Sequence, residues 1–124
     1  MAMFTYGPAA TTVEVDDRQL AHLQYIIAQR FRRQESLLLT FLVDRGGQQR
    51  RRTVWLSPSS ALEFDYDAAV TAKLNREWLE ELMQQSYSVA GVVLSEEPGS
   101  DSTFPHVRAA EESTAPVRSV VRLA

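Results

Sequence analysis

The stretch that most restricts what this chain can fold into is SLLLTFLVD, residues 36–44, followed by RGGQQ and then by RRTVWLS, residues 51–57. Side chains alternate between faces along a strand, so a run that is apolar at odd and even positions alike fits a strand inside a sheet, covered at least in part on both sides. Gly46-Gly47 suits a tight hairpin turn, and residues 51–57 are expected to return as the antiparallel partner. Pro58 has no N–H to donate and ends that strand or sits at its edge.

Around this hairpin the remaining pattern alternates between strand and helix. Residues 3–6 (MFTY) and 11–15 (TTVEV) read as two short strands turned by Gly7-Pro8. Asp16 is placed to cap a helix by accepting from the Gln19 N–H, and Val15 and Leu20 can staple its first turn. Asp17 complements the positive end of the helix dipole, and Arg32 and Arg33 the negative end. Leu20, Leu23, Ile27 and Phe31 recur at spacings of three and four, and at 100° per residue they form one buried stripe. Residues 61–67 (ALEFDYD) alternate, with Leu62, Phe64 and Tyr66 on one face and Glu63, Asp65 and Asp67 on the other. Asn75 is the expected cap of a second helix, REWLEELMQQSY, with Trp78, Leu79, Leu82 and Met83 inward. GVVLS, residues 91–95, reads as a last strand. The expected fold is α+β, ββαβββα(β), with two helices on a mainly antiparallel sheet. The domain is expected over 1–95. Residues 96–124 form a Pro/Ser/Glu/Ala-rich tail, unstructured over 96–116 and ending in the apolar VRSVVRLA.

Composition excludes several functions. The 124 residues suit one domain with an extension, and the net charge of −3 rules out a global polycation. With no cysteine, thiol catalysis, disulfides and cysteine-based zinc sites are excluded. The N-terminus lacks the pattern of a signal peptide, and no apolar run reaches the roughly 20 residues that span a bilayer. A cytoplasmic protein without membrane attachment is expected. There is no G-x-x-x-x-G-K and no G-x-G-x-x-G, so neither phosphate cradle is present. No nucleophile, base, metal cluster or cofactor motif is named by the sequence, and none is expected.

Two surfaces are candidates. The first is the helix face opposite the stripe, with Arg18, His22, Tyr25, Ile26, Gln29, Arg32 and Arg33 as residues for a protein partner or a second copy of the chain. His22 there could act as a base only with a nucleophile and an orienting group beside it; otherwise it is a polar surface residue. The second is basic. Seven of the arginines fall between Arg30 and Arg52, giving that segment a net charge of +5. Arg45, Arg50, Arg51 and Arg52 are the candidate phosphate contacts of a nucleic-acid-binding accessory protein. If strand 36–44 runs back antiparallel to the helix, about 30 Å against about 25 Å, these arginines come to lie near Asp16 and Asp17. Glu63, Asp65 and Asp67 could suit a hard cation, but no calcium-loop pattern follows. They read as a solvated face, or as partners for arginines of a second copy. Trp55 and Trp78 read as core or rim residues, and a rim tryptophan can anchor a partner.

DDRQLAHLQYIIAQRFRRQES, TVWLSPS and LNREWLEELMQQS together resemble a family of small actinobacterial proteins, a domain of unknown function with the pattern DDR-x-LAHLQ, RRGES, WL-x-P-S and NREWL. The resemblance covers residues 3–95. Here Gln34 stands where RRGES has glycine, and the Gly-Gly hairpin is unlike the longer loop of the pattern. Many members carry the automatic name ATP-dependent DNA ligase. The lysine motif K-x-D-G that such a name implies does not match Lys73-Leu74-Asn75-Arg76, where the aspartate and the glycine are missing. The resemblance implies an α+β domain and no known activity.

Overall fold

The computed structural model of the protein describes residues 1–94 and, as backbone, 106–109. Its elements are β1 (Ala2–Tyr6), β2 (Thr11–Val15), α1 (Asp17–Arg32), β3 (Leu37–Arg45), β4 (Gln48–Leu56), β5 (Leu62–Asp65), α2 (Arg76–Ser86), β6 (Val92–Val93) and β7 (His106–Ala109). This is the α+β order read from the sequence, with one strand more. The strands form one sheet in the order β4-β3-β7-β2-β1-β5, with β6 also on β3. Four ladders are antiparallel, and the two that β6 and β7 make with β3 are parallel.

Local chemistry sets the element ends. Gly46 and Gly47 have φ of 57° and 79°, the two positive angles of the hairpin turn between β3 and β4. Asp16 accepts from the backbone N–H of Arg18 and Gln19, and Asn75 from that of Trp78, so both expected caps are present. At the end of α1 the Gln34 N–H donates to the Phe31 carbonyl and the Glu35 N–H to that of Arg30. This is a Schellman closure, and its left-handed position falls on Gln34 at φ 60°. The glycine of the RRGES pattern is the residue that this conformation favours.

One core lies between the sheet and the helices. Phe4, Val13, Val15, Leu37, Leu39, Phe41 and Val43 supply its sheet side, and Leu20, Leu23, Ile26, Ile27, Trp78 and Leu82 its helix side. Tyr6 on β1 meets Phe41 on β3 edge to face, with ring centroids 6.1 Å apart. Its hydroxyl accepts from Arg52 of β4 at 3.0 Å. β2 and β7 separate these strands in hydrogen-bonding order, so the sheet curls around its inner face. On β3 the odd positions from Leu37 to Val43 are buried and Leu38 and Leu42 half-buried, whereas β1 is buried at every position.

One expectation about the tail changes. Residues 106–109, assigned by composition to an unstructured stretch, form β7 between β2 and β3. Composition averages over a window, while two open strand edges can recruit four residues. The rest of the expected tail, including VRSVVRLA, lies outside the described residues. No helix among the described residues is long and apolar enough to cross a membrane.

Candidate functional site

The outer face of α1 is largely a helix–helix contact. His22 and Ile26 are 0% exposed and Arg30 is buried, so the ridge 22–26–30 lies against α2 rather than facing a partner. The two helices run in the same direction, and this ridge pins α2 at both ends. At the start, His22 Nδ1 lies 2.6 Å from the Arg18 carbonyl, and Nε2 accepts the Asn75 N–H at 2.7 Å. Those roles require the neutral imidazole with its proton on Nδ1. The ring also lies against Trp78, centroid to centroid 4.3 Å. With both nitrogens engaged and no opening to solvent, His22 holds structure and is not placed to take a substrate proton.

At the far end, Arg30 donates to the Ser86 carbonyl and hydroxyl and to the Ser36 carbonyl, at 2.7–2.8 Å. It pairs with Glu35 at 2.9 Å and lies 4.0 Å over the Tyr87 ring. Arg33 donates to the Tyr87 hydroxyl at 2.6 Å. Read from the sequence, Arg30 counted only as charge. Its signal was its place four residues beyond Ile26 and eight beyond His22, on one ridge.

Of the remaining residues proposed for that face, Tyr25, Arg32 and Arg33 are exposed, and Arg18 and Gln29 half-buried. Tyr25 lines an open groove of about 570 Å³ with Leu74, Arg76, Leu79, Glu80 and Met83. Of these exposed residues only Tyr25 borders the groove, while His22 and Ile26, read from the sequence as surface residues, lie inside the α1–α2 packing.

The basic candidates come together. Arg45, Arg50, Arg51 and Arg52, with Gln48 and Thr53, line an open concavity of about 510 Å³ at the distal half of the β3–β4 hairpin. Register sets Arg45 opposite Gln48, and Arg50, Arg51 and Arg52 opposite Val43, Leu42 and Phe41. Arg45, Arg50 and Arg51 are exposed, while Arg52 is half-buried against Tyr6. As expected, the end of β3 lies near the start of α1, since Asp44 and Glu14 flank the same position of β7, but no bond to the acids that open α1 forms. Asp16 caps the helix, Asp17 meets the amino terminus of Met1 at 3.3 Å, and among the described residues neither bonds to these arginines. β4 is an edge strand, and alternation puts Arg51, Thr53 and Trp55 on its outer face. Trp55 is 66% exposed there, beside half-buried Leu38. Trp78, by contrast, is a core residue. Trp55 could have been singled out from its spacing, since it shares the face of Arg51 and Thr53.

Glu63 and Asp65 are exposed on β5, the opposite edge. Among the described residues no group of three metal-ligating side chains is close enough to hold an ion. Lys73 is exposed just before α2, and Asn75, in the place of the motif aspartate, is engaged as helix cap and by His22. The Tyr66 phenol donates to Gln24 at 2.7 Å. Burial, reinforced by the Asp17 carboxylate, pushes its pKa up from 10.0 to about 12.

A family model described as domain of unknown function (DUF7882) matches residues 1–97. The chain belongs to this family. The match covers both helices and six of the seven strands, and it ends before β7. Neither the curated proteins nor the solved structures searched contain a match to the chain. The family description assigns no activity, so function is argued from the surfaces just described.

Proposed function

We propose that this member of the family is a non-catalytic binding module whose working surface is the β3–β4 hairpin and whose partner is nucleic acid, single-stranded first. One observation carries the reading: four arginines surround one open concavity, with no carboxylate among its lining residues. Guanidinium groups suit phosphate because their planar donors match its oxygens. Trp55 lies on the outer face of the same strand as Arg51 and four residues from it, about 13 Å along β4. An exposed aromatic beside a basic track is the arrangement on which unpaired bases stack. The net charge of −3 confines the attraction to this region. We place the module in the cytoplasm, as suits a chain without cysteine.

The test is fluorescence anisotropy with labelled oligo-dT and with duplex DNA between ~50 and ~200 mM salt, where phosphate contacts impose a steep salt dependence. Binding to oligo-dT is expected, and Arg50→Ala with Arg51→Ala should lower the salt slope by about 0.7 for each phosphate no longer neutralised. Trp55→Ala should weaken binding by about 1–3 kcal/mol. No affinity at ~50 mM salt for either nucleic acid overturns the proposal.

A protein partner is the second reading. The groove at Tyr25, with Leu74, Leu79 and Met83, favours it. Static light scattering reports whether two copies meet there. Self-association that Tyr25→Glu abolishes supports it, and a mass that stays monomeric counts against the homodimeric form.

A further inference from the structure

β7 holds two half-sheets together. Without it the order β4-β3-β7-β2-β1-β5 divides into β4-β3-β6 and β2-β1-β5. Between them is a slot one strand wide, edged by Leu42–Asp44 of β3 and Val13–Glu14 of β2.

The slot has a readable chemistry. Register puts Val107 opposite Val43 and Ala109 opposite Val13, and both slot residues belong to the buried core face. Register also puts Arg108 opposite Glu14 on one side and Asp44 on the other. One strand position is thus flanked by two acidic residues, and Glu14 is only 3% exposed. The slot calls for an extended segment with an apolar residue followed by a cation. Val107-Arg108 meets that requirement, and the sequence repeats the pair at Val117-Arg118 and Val121-Arg122.

The connection to β7 is longer than its position requires. The Leu94 N–H donates to the Thr40 carbonyl, Val93 pairs with Thr40, and His106 pairs with Leu42. β6 and β7 therefore occupy consecutive places in one row along β3. Residues 95–105 join them, a length that can reach about 36–40 Å when extended. The slot lies within the family match, which ends at residue 97, and its occupant lies beyond it.

We propose that the gap between β2 and β3 is a strand-acceptor site selective for a Val-Arg segment, filled in cis by His106–Ala109 and able to take the same segment of a second copy, giving a strand-exchanged dimer. Main-chain hydrogen bonds supply affinity, and the two side-chain positions supply selectivity. Closed and exchanged forms make the same contacts, so protein concentration decides between them. The tethered segment acts at an effective concentration in the millimolar range, which keeps dilute protein closed. The site is separate from the arginine-lined hairpin and does not depend on the nucleic-acid reading.

The native chain has no cysteine, so single cysteines report the pairing in the full-length protein. The positions are Val13→Cys and Ala109→Cys, which face each other in register. Oxidised when dilute, the double variant should form an intramolecular disulfide. The two single variants, refolded together at high concentration, should form a mixed disulfide dimer that is absent when they are refolded dilute. No disulfide in the double variant overturns the occupancy by His106–Ala109, and no mixed dimer at high concentration overturns the exchange. A second arm leaves the core position Val13 untouched. Arg108→Glu places a third acid in the slot and should vacate it. That chain should then bind a labelled FPHVRAAE peptide at least about tenfold more tightly than the wild-type chain, whose slot is filled. A peptide with glutamate in place of arginine should bind neither. Equal binding of FPHVRAAE by both chains, or binding by neither, overturns the acceptor site.

Discussion

Gln34→Gly is expected to stabilise this protein. Gln34 is the left-handed residue that closes α1, at φ 60°. Its side chain is exposed and has no hydrogen bond among the described residues, so the substitution removes little packing. A side chain in this conformation costs roughly 1–2 kcal/mol through the approach of Cβ to the following carbonyl. Glycine avoids that cost but adds freedom to the unfolded chain, which offsets roughly 0.4–1 kcal/mol. The net gain is about 0.5–1 kcal/mol, or a rise in Tm of about 2–5 °C for a domain of this size. Thermal and urea melts followed by circular dichroism can read it. Gln34→Ala is the control, because alanine keeps the Cβ and should give no such gain, and Gln34→Asn should fall between. If alanine stabilises as much as glycine, or if glycine gives nothing, the left-handed conformation is not the source of strain and the argument fails.

Three further outcomes can be checked by similar means. Gly91→Ala should destabilise by about 3 kcal/mol or more in a urea melt, because the new Cβ would lie 2.4 Å from the Leu38 carbonyl oxygen at a glycine of φ +76°; a neutral result would show that β6 does not sit this close to β3. Arg30→Met should cost about 3 kcal/mol, since it leaves the Ser36 and Ser86 carbonyls without their buried donor, and a change below about 1 kcal/mol would mean water replaces the guanidinium. The Tyr66 phenol keeps its proton to about pH 12 in the folded chain against about 10 in the unfolded one. The folded state therefore binds more protons in that window, and stability that is intact below pH 10 should fall as pH rises toward 12. Tyr66→Phe should flatten the slope of urea midpoint against pH there, and an unchanged slope would remove Tyr66 as its cause.

The elements legible from sequence were those fixed by neighbours along the chain. The Gly-Gly turn, the caps at Asp16 and Asn75, and the stripe Leu20–Leu23–Ile27 are each set within a few residues, and the structure contains all of them. The candidate arginines of the hairpin were also legible, because a two-residue turn fixes which residues of β3 and β4 face each other. That neither Asp16 nor Asp17 bonds to them was not, since Asp16 is taken up by the helix cap and Asp17 by the amino terminus of Met1.

A single helix viewed alone has one inside and one outside, and on that view His22 and Ile26 belonged to the surface. The tertiary structure decided otherwise by laying α2 along a second ridge of α1, which turns His22 and Arg30 into pins and leaves Tyr25 outside. It likewise decided the place of residues 106–109, which carry too little local signal to declare a strand. The sequence by itself determined the turns, caps and apolar periods, because those depend on neighbours a few residues away. Which second face is covered, and which strand fills the gap between β2 and β3, only the folded chain decides. Those contacts join residues far apart along the chain, 53 positions for His22 with Asn75 and 56 for Arg30 with Ser86, and Val13 meets Ala109 across most of its length.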